Sequence, residues 1–216
     1  MRVVVVDSGV GNIPNAMRGL ARAGAEPVLC IDPETIRTAR CIVLPGVGAF
    51  PPAMARLHER GLDEALGAAA ASGAAILGIC LGHQLLFDAS EEFGETAGLR
   101  LIPGRVSPLP PGGRVPHMGW SRITARRDDP LLAGLDRNAW MFFVHSFAAV
   151  PADGDLVATV PFGDHGVCAV ARRGRVCGVQ FHPEKSGAPG ARLLANFLAL
   201  ARSEGSPGTG DWGPGQ

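Results

Sequence analysis

Short apolar runs alternate with amphipathic stretches through the first half of the chain. Residues 2–7 form a β-branched run that ends at Ser8-Gly9. Similar runs occupy 27–31, 40–44 (closed by Pro45-Gly46) and 74–79. Between them, 15–23, 51–71 and 81–90 place apolar residues at helical spacing. Near-continuous apolar strands separated by helices predict a parallel sheet covered on both faces. The second half has a different rhythm. Residues 141–150, 155–160, 166–172 and 175–181 read as strands joined by short turns, with Arg172-Arg173-Gly174 as a hairpin turn and 191–202 as a closing helix. The expected fold is therefore α/β: a mostly parallel central sheet flanked by helices, with an added antiparallel portion in the second half. Residues 1–202 make one domain. Seven of the last 14 residues are Gly or Pro, so 203–216 is expected to be a disordered tail.

Composition narrows the function classes. The chain has 20 basic and 20 acidic residues. A nucleic-acid or membrane-surface partner calls for a basic excess, and none is present. No apolar run approaches the length of a membrane span, and the valines at 3–6 are too few for a signal-peptide core. Five cysteines without close pairing, and no His or Cys cluster at ligand spacing, predict a reduced cytoplasmic protein with no metal site. Cys30, Cys41, Cys168 and Cys177 fall in apolar strands and read as core fillers. If Arg172-Arg173 formed the hairpin loop, Cys168 and Cys177 would face each other.

The candidate chemistry lies in three segments. Gly78-Ile79-Cys80-Leu81-Gly82 follows a buried strand and precedes a helix, which is the form of a nucleophile elbow with Cys at the turn. Flanking side chains would clash in so tight a turn, and the following helix N-terminus favours thiolate. A Cys nucleophile needs a base, and the base needs an orienting group. Of six histidines, His182 alone has a carboxylate two residues on, Glu184. In extended chain both would point to one side, so Glu184 can orient His182. The third segment, residues 44–50, follows a strand at its carboxyl end. Its glycines allow backbone N–H groups to face a site.

These residues carry a resemblance. Gly78-Ile79-Cys80-Leu81-Gly82-His83-Gln84 with His182-Pro183-Glu184 resembles the class I, triad-type glutamine amidotransferases. Residues 45–50, 115–120 (Val-Pro-His-Met-Gly-Trp), 143–146 and 178–186 resemble, more narrowly, the glutaminase subunits of imidazole glycerol phosphate synthase. The resemblance runs from residue 2 to about 200. It implies a flavodoxin-like amidotransferase fold and hydrolysis of glutamine to glutamate and ammonia, with no cofactor. The ammonia would pass to a (β/α)8-barrel synthase subunit, the expected heterodimer partner, in histidine biosynthesis. It further implies Cys80 as nucleophile, His182 as base and acid, Glu184 as orienter, and the Gly48 and Leu81 amides as oxyanion donors. Gly46, Val47, Gln84, His145, Ser146 and Phe147 would hold glutamine. Asn12, His117, Met118, Trp120 and Lys185 would face the partner. Ser8 stands where the family usually has Tyr, and His83 where it usually has Met.

Other readings stay open on the residues alone. Residues 3–6 followed by Gly9-Val10-Gly11, with Asp32 after the next strand, open like a dinucleotide-binding fingerprint, although Pro14 takes the third glycine's place. A non-catalytic subunit that keeps only the fold, or another triad amidotransferase, would share parts of the pattern.

Overall fold

A computed structural model of the chain describes residues 1–7, 9, 12–136 and 139–203. The strands are β1 (Arg2–Val6), β2 (Glu26–Cys30), β3 (Cys41–Gly46), β4 (Ala75–Cys80), β5 (Ala89–Ser90), β6 (Thr96–Ala97), β7 (Gly104–Pro108), β8 (His117–Arg122), β9 (Thr124–Ala125), β10 (Trp140–His145), β11 (Phe147–Pro151), β12 (Leu156–Phe162), β13 (His165–Arg173) and β14 (Val176–Val179). The α-helices are α1 (Ile13–Arg22), α2 (Pro33–Thr38), α3 (Phe50–Glu59), α4 (Leu62–Ala71), α5 (Leu81–Leu85) and α6 (Gly187–Arg202).

An eight-stranded sheet runs β2-β1-β3-β4-β14-β13-β12-β9. Its first five strands are parallel and the last three join antiparallel. The apolar runs follow from that placement. In β1, alternate valines point to opposite sides. Val3 and Val5 join one core with Leu20 of α1 and Leu193 and Phe197 of α6. Val4 and Val6 join the other with Leu57 of α3 and Leu62 and Leu66 of α4. Both faces are buried, so the strands need no polar alternation. A four-stranded sheet, β11-β7-β5-β6, and the two-stranded ribbon β10-β8 complete the second half.

Several boundaries differ from expectation. The run 51–71 is two helices, broken where Gly61 adopts φ +64°. The helix after the elbow ends at Leu85. The run 141–150 is two strands that leave each other at Ser146 and enter different sheets. The last hairpin turns at Gly174-Arg175, which places Cys177 opposite Arg172 and Cys168 opposite Thr159. The facing Cys168–Cys177 arrangement therefore does not arise, and all five cysteines are free. The tail expectation for residues 204–216 lies outside the described residues. Among the described residues no helix is long and apolar enough to cross a membrane.

Candidate active site

The parallel register brings the site together. Gly46 pairs with Cys80 at the carboxyl ends of β3 and β4, and Val179 pairs with Ile79. One residue beyond, Gln180 lies beside Cys80, and His182 follows. Ligands gather at this edge of parallel sheets.

Cys80 sits at φ 56°, ψ −109° between β4 and α5, a backbone state that costs energy for any residue with a Cβ. The turn closes because its flanks lack side chains. A Cβ on Gly78 would lie 2.5 Å from the Gly82 carbonyl oxygen, and one on Gly82 would run into the Leu44 carbonyl. Cys80 is 6% exposed. Its sulfur lies 3.9 Å from the Val144 carbonyl oxygen and 3.9 Å from Gln180 Nε2.

His182 and Glu184 are both buried, with Nδ1 2.8 Å from Oε1. Glu184 reaches the ring from a single 3-10 turn, Pro183–Lys185, and not from extended chain. His182 Nε2 is buried without a hydrogen-bond partner. Burial lowers the imidazole's proton affinity, but the Cys80 sulfur and the Glu184 carboxylate outweigh it and push the pKa up to about 9.

In front of Cys80 lies a pocket of about 240 Å³ lined by Val47, Gly48, Leu81, Gln84, Glu92, Pro116, Val144, His145, Ser146 and Phe147. Gly48 takes φ +102°, open to glycine alone without strain. Gly46 is packed behind, against Leu81 and the Gly82 amide. Gln84 Nε2 donates to the Phe147 carbonyl and to Gln180 Oε1, both at 2.9 Å. Glu92 was not singled out by the sequence. It accepts from the Phe50 amide at 2.7 Å, tying down the end of the 44–50 segment, and is the only carboxylate among the lining residues.

The partner-facing candidates separate. Met118 is 69% and Trp120 52% exposed, on the outer face of the β8–β10 ribbon. Lys185 is exposed, with Nζ 5.7 Å from the Phe142 ring. Asn12 stands at the start of α1, the helix whose Gly19 packs on Glu184. His117 instead turns inward. Its ring stacks on Phe143, and its Nδ1 lies 3.0 Å from His145 Nε2. A larger concavity of about 1070 Å³ is lined by residues 123–130 and 132–136 and holds none of the triad. Asp32 is engaged as the cap of α2, bonding Thr35 N and Oγ1. Val10 and Gly11 of the candidate fingerprint, and Ser8, lie outside the described residues. Among the described residues no group of three or more His, Cys, Asp and Glu could hold a metal ion.

The chain matches the family model of class I glutamine amidotransferases over residues 4–201. It is 49% identical over 201 residues to the imidazole glycerol phosphate synthase subunit HisH of Synechococcus elongatus, covering 91% of this chain and 92% of that one. Against the subunit of the same name from Geobacillus kaustophilus it is 44% identical, covering 94% and 98%. The fold is that of a solved glutamine amidotransferase at TM-score 0.73 and 22% identity, covering 92% of this chain and 98% of that one. It also follows a PurLQS structure from Thermotoga maritima at TM-score 0.69, 20% identity and coverage of 92% and 97%. The chain thus belongs to the class I glutamine amidotransferases, and within them to the HisH subunits of imidazole glycerol phosphate synthase.

Proposed function

We propose that this chain hydrolyses glutamine to glutamate and ammonia through a thioester on Cys80, and that it delivers the ammonia to a (β/α)8-barrel synthase subunit for histidine biosynthesis. The observation that carries the chemistry is His182. Its Nδ1 is held by Glu184, its unpartnered Nε2 is left for the strained Cys80 sulfur, and its pKa is raised to about 9. Near neutral pH such a ring keeps its proton and supports a thiolate beside it.

Glutamine's side-chain carbonyl carbon would accept the sulfur's electron pair. The oxyanion would lie toward the Gly48 and Leu81 backbone amides, the latter the first residue of α5. Collapse breaks the C–N bond, and His182 supplies its proton to the leaving ammonia. Neutral His182 then takes a proton from water. The hydroxide adds to the thioester carbon, and the C–S bond breaks to return thiolate and the carboxylic acid, which loses its proton to solvent as glutamate. Gln84 already uses its N–H groups on Phe147 and Gln180, so it offers substrate its oxygen. Glu92 supplies the one negative lining charge, suited to the α-ammonium of an amino acid.

Ammonia released into bulk water takes up a proton and loses its nucleophilicity, which argues for a consumer docked at the site. The ribbon supports that reading. Its strand β10 presents the Val144 carbonyl to Cys80, while Met118 and Trp120 remain exposed on its other strand, β8. The test is Cys80→Ala in complex with the barrel subunit. Glutamine-dependent synthesis should vanish and ammonia-dependent synthesis should persist. Glutamate release at the wild-type rate would overturn the nucleophile.

A further inference from the structure

Gln180 is wholly buried, one residue past β14, and its carboxamide is oriented by a chain that begins at an acceptor that cannot change. The Phe147 carbonyl oxygen accepts from His145 Nδ1 at 2.8 Å and from Gln84 Nε2 at 2.9 Å. A backbone carbonyl is an acceptor only, so Gln84 must turn its NH2 group toward it. The same NH2 group meets Gln180 at 2.9 Å, so Gln180 must present its oxygen there. The Gln180 NH2 group is thereby aimed at Cys80, with Nε2 3.9 Å from Sγ, at the long end for a donor to sulfur.

Besides His182, the sulfur has two polar neighbours of opposite kind. Val144 offers a carbonyl oxygen 3.9 Å away, to which a neutral thiol can donate and which a thiolate can only repel. Gln180 offers N–H, which favours the charged sulfur. We propose that Gln180 is a positioning residue for the nucleophile: its amide, locked by Gln84 on the Phe147 carbonyl, donates to the Cys80 sulfur and stabilises the thiolate. The donor serves twice. It favours the thiolate that attacks glutamine, and again the thiolate expelled when water opens the thioester. The inference rests on Cys80 as the nucleophile and goes beyond the triad and the oxyanion donors.

The test measures iodoacetamide alkylation of Cys80 in the full chain across pH 5–10, with the label located by peptide mass. Gln180→Met removes the donor. Gln180→Glu keeps an oxygen for Gln84 but, once ionised, turns a like charge toward the sulfur. The other titratable groups that face the site are His182 and Glu184 after β14, His145 on β10 and Glu92 after β5, and both variants retain them. The expected result is a profile displaced to higher pH by about one unit in Gln180→Met and further in Gln180→Glu, with Gln180→Met melting lower because it leaves a Gln84 N–H without its acceptor. Alkylation near pH 7 should slow about tenfold. A folded variant of either kind with an unmoved profile overturns the proposal. So does a rise in KM for glutamine alone, which would place Gln180 in the pocket through Gln84. Should Gln180→Met not fold, Gln180→Glu decides. Cys80→Ala separates the two readings: glutamate release that survives in it, in complex with the barrel subunit, would fault the nucleophile assignment, not Gln180.

Discussion

Three histidines behind and around Cys80 are held in different protonation states, and stability should record this. His83, at the position where the family usually carries Met, is wholly buried against Phe87 and Gly178, with Nδ1 unpartnered and Nε2 3.9 Å from the Cys168 sulfur. Burial pushes its pKa down to about 3, and pushes that of His145 down to about 4. Both stay neutral in the fold but take a proton when unfolded below about pH 6.5. Their contribution is complete above that pH and is lost as pH falls toward 4. His182 has the opposite sign. With its pKa raised to about 9, its contribution is complete below about 6.5 and is lost as pH rises through 9. The melting temperature should therefore peak near pH 6.5–7. His83→Met should raise it at pH 7.5, by about 1–3 kcal/mol of stability for the removed orphan nitrogen, and flatten the acid limb. His182→Asn should flatten the alkaline limb. A melting temperature that is constant from pH 5 to 9 would refute both signs. In the pocket, Glu92→Gln should raise KM for glutamine about tenfold with a smaller change in kcat, as measured by glutamate release in the complex.

At the scale of elements, the elbow was legible because its pattern is local. Two glycines between a strand and a helix mark the turn, although what Gly82 must clear lies on the neighbouring strand. Gly82→Ala tests that constraint. Its Cβ would collide with the Leu44 carbonyl of the neighbouring strand, backbone that cannot step aside without opening the β3–β4 pair. Gly61→Ala, at φ +64° with open space around it, should cost only about 1 kcal/mol. Thermal melts of the two should differ by many degrees, and comparable losses would show that the elbow has slack. Glu184 was legible through a geometry that the fold does not use. Its distance of two residues from His182 pointed to it, yet a 3-10 turn delivers it, so the expected contact formed by a different path. The same period-two rule, followed backward from His182, leads to Gln180. Glu92 left no local signal, because its place depends on a contact 42 residues away. The split of residues 141–150 was hidden for a similar reason. Both halves are apolar, and only the assignment of β10 and β11 to different sheets separates them.

At the scale of the molecule, the parallel half was written in its apolar runs, while residues 91–140 lack such runs and hold short strands positioned by long-range pairing. Among those strands β8 matters most, because its two faces have opposite tasks. His117 and Ser121 turn inward, with His117 bonded to both Ser121 and His145, whereas Met118, Trp120 and Arg122 turn out. Across the ribbon, Trp140 lies under Arg122 at 4.9 Å and Phe142 meets Trp120 at 5.9 Å, extending the exposed aromatic face toward Lys185. The chain's formal charge is zero, so net charge supplies no long-range steering, and the exposed aromatic face is the natural anchor for the proposed barrel subunit. Trp120→Ala should weaken that complex by about 2 kcal/mol, roughly thirtyfold in Kd, as expected for a central aromatic anchor. Lys185→Ala should cost less than 1 kcal/mol, since an exposed ammonium over the half-buried Phe142 ring contributes little. Neither change reaches the sulfur, so the iodoacetamide profile of Cys80 should stay at the wild-type position in both. Titration with the barrel subunit, read beside that profile, checks the two claims together. Unchanged affinity in Trp120→Ala would move the docking face elsewhere. A displaced alkylation profile would mean that the outer face of the ribbon governs the Val144 carbonyl beside the nucleophile even before a partner binds.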